Sequence, residues 1–95
     1  MNSSLFRVNE DSSMFLLGYT IRLTPMEHKV ICLLYQNQDG ISTQQMASLL
    51  FSDKDISKRN IAVHICNINK KAKRISGRVL IKGNRRYGYK ISDNI

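Results

Sequence analysis

The stretch Ser57-Lys58-Arg59-Asn60-Ile61-Ala62-Val63-His64-Ile65-Cys66-Asn67-Ile68-Asn69-Lys70-Lys71-Ala72-Lys73-Arg74-Ile75 decides how this chain folds. Within it Ile61, Ile65, Ile68, Ala72 and Ile75 recur at spacings of 4, 3, 4 and 3, the apolar stripe of an α-helix that has to face a core. Arg59, Val63, Asn67, Lys70 and Arg74, spaced 4, 4, 3 and 4, occupy the other side. That outer face carries cations and amides for roughly four turns and no carboxylate. A helix that is merely solvated mixes both signs so that i,i+4 pairs form; this one does not, and its charge points to an anionic partner.

Downstream, Ser76-Gly77 ends the helix and two strand-like runs follow, Arg78-Val79-Leu80-Ile81-Lys82 and Tyr87-Gly88-Tyr89-Lys90-Ile91. Gly83-Asn84-Arg85-Arg86 between them is a turn sequence, so the chain ends in a β-hairpin with a cationic tip. Upstream, Thr24-Pro25-Met26-Glu27 starts a helix. Thr24 and Glu27 have capping-box spacing, and Pro25 sits at the first helical position, where it has no N–H to lose. Met26, Val30 and Leu33 or Leu34 give that helix its apolar period, and Asn37-Gln38-Asp39-Gly40 stops it, with Gly40 as its cap. A second, shorter helix fits residues 43–51, capped by Ser42 or Thr43, with Ile41, Met46, Leu49 and Leu50 facing inward. Residues 52–57 read as a loop. Near the start, Leu5-Phe6-Arg7-Val8, Met14-Phe15-Leu16-Leu17 and Tyr19-Thr20-Ile21-Arg22-Leu23, separated by Asn9 to Ser13 and by Gly18, predict a small antiparallel sheet.

Ninety-five residues make one domain, 1–95, with strands over 1–23, three helices over 24–75 and the hairpin over 78–91. Its composition, 42% hydrophobic and 23% charged with one proline, excludes a disordered or collagen-like chain. The net charge of +8 is unevenly spread. Residues 1–53 hold three basic and five acidic side chains, a balance of −2; residues 54–95 hold twelve basic and two acidic, a balance of +10. A field this lopsided attracts a polyanion. No apolar run is long enough to span a bilayer, so nothing within the chain touches a membrane. The start lacks the layout of a secretory signal, and two cysteines, Cys32 and Cys66, are too few for a disulfide framework, which points to the cytoplasm.

Sheet, three helices and hairpin in this order describe an α+β winged helix-turn-helix. An α-helix fills the major groove of duplex DNA, where base edges present a distinguishable pattern, and lysines and arginines on its flank meet phosphates. An arginine-tipped hairpin fits the neighbouring minor groove. Leu23-Thr24-Pro25-x-Glu27, Val63-His64-Ile65-x-x-Ile68-x-Lys70-Lys71 and Tyr87-Gly88-Tyr89-Lys90-Ile91 resemble, in the right order, the OmpR/PhoB-type winged-helix DNA-binding domain over nearly the whole chain. The resemblance implies a four-stranded N-terminal sheet, a third helix in the major groove, a wing at the minor groove or backbone, and a loop, here 52–57, that touches RNA polymerase. Carried over by position, Arg59 and Asn60 sit near phosphate at the helix start, and Val63, His64 and Asn67 face base edges or backbone. Lys70 and Lys71 point toward phosphates, and Lys82, Asn84, Arg85 and Arg86 form the wing. By its place on the outer face, Arg74 joins the phosphate-binding cations. Where the family habitually has Leu-Arg-Lys, this chain has Ile68-Asn69-Lys70. The absence of a receiver segment ahead of the helices makes the chain similar to the ToxR-type branch, in which a cytoplasmic domain is followed by a membrane tether. Its expected function is sequence-specific transcriptional regulation, activation favoured over repression, with two half-sites in the operator if it binds as a homodimer.

Other readings weigh less. No Ser-His-Asp or Cys-His arrangement and no glycine-rich phosphate loop suggests an enzyme, and no cofactor is implied. His28 and Cys32 share a helix face, but His64 and Cys66 point some 200° apart and no Cys-x-x-Cys is present, so no metal site is expected. Phe6, Phe15, Tyr19, Phe51 and Tyr87 occur where packing uses them, and Tyr89 alone makes no stacking platform for single-stranded nucleic acid. The alternative from another class is a winged-helix interaction module that docks acidic partners or RNA polymerase without reading DNA.

Overall fold

The computed structural model describes residues 5–50 and 58–92, with the backbone alone for residues 58–60. Eight elements follow one another: β1 (Phe6–Val8), β2 (Ser13–Leu16), β3 (Tyr19–Arg22), α1 (Pro25–Gln36), α2 (Thr43–Leu50), α3 (Lys58–Ser76), β4 (Ile81–Asn84) and β5 (Gly88–Ile91). The first three strands form an antiparallel sheet in sequential order, and β4 and β5 form the hairpin. Three N-terminal strands are thus present among the described residues, against the four that the family resemblance implies. Leu17 and Gly18 make the two-residue turn between β2 and β3, both at positive φ (49° and 91°), as a type I′ turn requires.

The capping box at Thr24 forms in full: the Thr24 hydroxyl accepts from the Glu27 N–H at 3.2 Å, and the Glu27 carboxylate accepts from the Thr24 N–H at 2.9 Å. α1 ends at Asn37, whose N–H donates to the Leu33 and Leu34 carbonyls and whose side-chain amide also donates to Leu33. Gly40, expected from sequence as the cap, lies three residues further on and serves another purpose described below. α2 is capped by Ser42, which exchanges hydrogen bonds with Gln45. Its inward face is narrower than its pattern suggests. Met46 is buried, but Leu49 is 66% exposed. Leu50 packs partly buried against the core, so the inward face runs through Met46 and Leu50 and not through Leu49. Phe51, Ser57 and the 52–57 loop lie outside the described residues.

The core joins all the layers. Phe6, Met14 and Leu16 come from the sheet, Val30, Ile31 and Leu34 from α1, Ile61, Ile65, Ile68 and Ala72 from α3, and Leu80, Ile81 and Ile91 from the hairpin. Tyr19, expected in the core, is 59% exposed on β3, an edge strand among the described residues. Phe15 lies on the outer face of the sheet beneath the Arg7 guanidinium, 5.0 Å from its ring centroid.

The Glu27 carboxylate is buried, and it also accepts from Lys71 Nζ at 2.5 Å, binding the start of α1 to α3. The same ammonium donates to the Arg22 carbonyl at 3.2 Å. Removing Lys71 leaves a buried carboxylate with one partner fewer. Lys71→Ala is therefore expected to lower the unfolding free energy by about 1–3 kcal/mol, toward the lower end because the lysine is a third exposed. Lys70→Ala, at the exposed neighbouring position, should change it by no more than about 0.5 kcal/mol. Urea unfolding of the two variants measures the contrast.

Candidate nucleic-acid interface

The outer side of α3 is exposed at Ala62, Val63, Cys66, Lys70, Lys73 and Arg74, and half-buried at His64 and Asn67. The core stripe lies opposite, as a helical period demands. Arg59 and Asn60 lie in the first turn, where only the backbone is described. The sequence placed Lys71 among the phosphate-facing cations. The structure gives its ammonium other partners, Glu27 and the Arg22 carbonyl, on the flank turned toward α1.

Asn69, the residue standing where the family habitually has arginine, sets the position of the hairpin. Its Oδ1 accepts from the N–H groups of Leu80 (3.0 Å) and Ile81 (2.8 Å), and its Nδ2 donates to the Ile81 carbonyl (3.1 Å). One side-chain amide thus stitches the first residues of β4 to the middle of α3. The short link between them is shaped by Ser76, whose hydroxyl donates to the Ala72 carbonyl and accepts from the Arg78 N–H. Sequence reasoning passed over Asn69, Lys73 and Arg78. The signal for Asn69 was its place on the flank between the apolar stripe and the outer face, where a polar side chain of fixed geometry meets a neighbouring backbone.

A second tie holds the hairpin from the other side. Ile41 and Tyr89 exchange backbone hydrogen bonds at 2.9 and 2.8 Å. The two chains cross so closely that a Cβ on Gly88 would stand 2.2 Å from the Ile41 carbonyl oxygen, and one on Gly40 would stand 2.5 Å from that of Tyr87. Both glycines have positive φ (79° and 116°), so only a residue without Cβ meets both demands. The crossing explains Gly40 better than a helix cap does.

The hairpin turn covers 85–87, starting two residues and ending one residue later than the sequence suggests. Asn84 pairs with Gly88, and Arg85, Arg86 and Tyr87 form the turn. The Asn84 side chain accepts from the Arg86 N–H at 2.7 Å and so shapes the tip, while Gly83 lies in the strand beneath the Tyr89 ring. Lys82, Arg85 and Arg86 are exposed; Lys90 is held 4.7 Å over the Tyr87 ring. A cleft between the start of α2 and the tip is lined by Asp39, Ser42, Thr43, Gln44, Arg85 and Arg86 among others. Elsewhere, His28 Nε2 stands 2.6 Å from the Asn9 carbonyl and so ties α1 to the β1–β2 turn. Beside it, burial pushes the Cys32 thiol above its ordinary pKa.

A long helix with an exposed face, joined at its flank to a cationic hairpin, is the arrangement of a winged helix-turn-helix. Residues 18–91 match the family described as transcriptional regulatory protein, C terminal, and the chain belongs to that family of OmpR/PhoB-type DNA-binding domains. Among solved structures it is similar to the C-terminal domain of the nisin resistance regulator NsrR, a lantibiotic response regulator (19% identity, TM-score 0.77, 96% of this chain and 94% of that one). It is also similar to the DNA-binding domain of E. coli CadC (16%, 0.73, 93% and 91%). A third is the DNA-binding domain of the response regulator AdeR, solved in complex with an intercistronic region (16%, 0.73, 93% and 94%). At these identities the shared feature is the fold. No curated protein sequence matches the chain. Among the described residues no helix is long and apolar enough to cross a membrane.

Asn69→Ala would strand the Leu80 and Ile81 N–H groups. It is expected to destabilise the chain by about 1–3 kcal/mol and to speed amide hydrogen exchange at Leu80 and Ile81 more than at the buried amides of α1. Asn69→Asp keeps the acceptor and should restore part of that protection.

Proposed function

We propose that the chain binds duplex DNA sequence-specifically and regulates transcription, with activation as its sign by family likeness. The observation that supports this reading is that exposed cations stand on two elements fixed to each other. The Lys70, Lys73 and Arg74 side of α3 and the Lys82, Arg85 and Arg86 hairpin lie on elements that Asn69 binds together. In the mechanism, α3 lies in the major groove with Val63, His64 and Asn67 at base edges. Arg59, Lys70 and Arg74 hold phosphates, Asn60 supports the helix start, and Arg85 and Arg86 reach the next groove with Lys82 on the backbone. The 52–57 loop meets RNA polymerase, and a homodimer occupies paired half-sites. Residues 1–95 act as one winged-helix unit, in the cytoplasm, and carry no reaction of their own.

Selection of bound sequences from a random duplex pool at about 0.15 M salt tests the reading, since specific complexes survive there and charge-only docking fades steeply. A consensus with one or two half-sites supports it; a bound pool without consensus favours the interaction module. On the selected site, Asn67→Ala should cost about 1–3 kcal/mol and leave binding to unrelated duplexes unaltered. Lys70→Ala should weaken all duplexes alike and reduce the salt slope by about one. Fluorescence anisotropy across a salt series separates the two.

A further inference from the structure

The outward face of α3 changes character along its length. From residue 61 to residue 69 it exposes Ala62, Val63 and Cys66 and no cation; Lys70, Lys73 and Arg74 all fall in the last two turns. Val63, two residues from Ile61, is rotated about 200° from it and so stands on the side away from the core stripe. It is 49% exposed, and Cys66 carries a free, exposed thiol one turn further on the same face. These are three small apolar side chains exposed on the most cationic element of the chain, Ala62 and Cys66 bordering a shallow hollow with Val79.

The base code gives such a stripe a partner. Guanine is read by arginine or lysine at O6 and N7, which the described part of this face lacks before Lys70, whereas thymine alone offers a methyl group in the major groove for apolar contact. Base contacts come from the N-terminal part of a recognition helix, where this stripe lies. Asn67, half-buried beside it, has the paired donor and acceptor that suit adenine N7 and N6. We infer that α3 reads the C5-methyl groups of thymines through Ala62, Val63 and Cys66, so that its half-site carries A·T pairs at the positions those residues face. This rests on the proposed duplex-binding function and specifies which edge of the DNA that function recognises.

The test uses two random duplex pools, one with thymidine and one with deoxyuridine in its place, which differ only by that methyl group. Binding to the thymidine pool is expected to yield a consensus containing thymines. Replacing each of those with deoxyuridine should weaken binding about fourfold per contacted methyl, the equivalent of about 0.8 kcal/mol. Val63→Ala and Cys66→Ser, both at exposed positions, should shrink that thymidine-to-deoxyuridine ratio toward one, with thermal unfolding confirming that each variant is folded. A consensus that deoxyuridine leaves equally well bound, or one whose invariant positions are guanines, overturns the inference while leaving duplex recognition standing. If neither pool yields a consensus and both lose binding together as salt rises, the duplex-reading function fails and the inference falls with it.

Discussion

The side-chain amide of Asn69 is the contact on which the placing of the hairpin against α3 turns. A winged helix has to hold a helix and a hairpin at one angle, although the hairpin has only a few residues of its own in the core. Here a single group satisfies two backbone donors and one backbone acceptor at once, which needs both halves of an amide. An arginine has no acceptor and could not close the same three bonds. Leu80, Ile81 and Ile91 then drop into the core, and the Ser92 N–H returns to the Leu80 carbonyl to finish the sheet. The crossing of Ile41 with Tyr89 holds the far strand, so the hairpin is tied at both of its edges.

The charge of the chain is sorted by the same geometry. One lysine of the run 70–71 turns inward to neutralise a buried carboxylate, and its neighbour turns outward, because a step of one residue rotates a side chain by about 100° on a helix. The result divides labour between adjacent, chemically identical residues: one stabilises the packing of α1 on α3, the other adds to the external field. Acidic Glu10 and Asp11 are exposed in the β1–β2 turn, on a different element from the cationic helix face. The field of +10 in the second half of the chain is thus presented mostly by α3 and the hairpin.

Local and periodic features were readable from the residues alone. The Thr24–Glu27 box, the isoleucine stripe of α3 and the presence of a terminal hairpin each depend on neighbours within a turn or a strand, and the first two formed where their pattern placed them. What the sequence misplaced depends on partners far along the chain. Gly40 looks like a cap until Tyr87 is seen against it; Lys71 looks free until Glu27 is found beneath it; Asn69 looks like a lost arginine until Leu80 and Ile81 reach it. Leu49 and Tyr19 were expected inside because they are large and apolar, yet Leu49 stands off the Met46–Leu50 face of α2 and Tyr19 lies exposed on β3, an edge strand among the described residues. The hairpin turn falls at 85–87 and not 83–86, and β5 beyond it is bonded to Ile41, a partner far along the chain.

The claim that α3 and the hairpin form one surface for a double helix is tested most directly by mapping amide chemical shifts of the labelled chain as a duplex from the selection is added. The account predicts that shifts grow together at the outward residues of 62–74 and at 82–86, with one midpoint, while the strands of 6–22 stay still. Shifts confined to only one of the two elements, or centred on the three-stranded sheet, would contradict it.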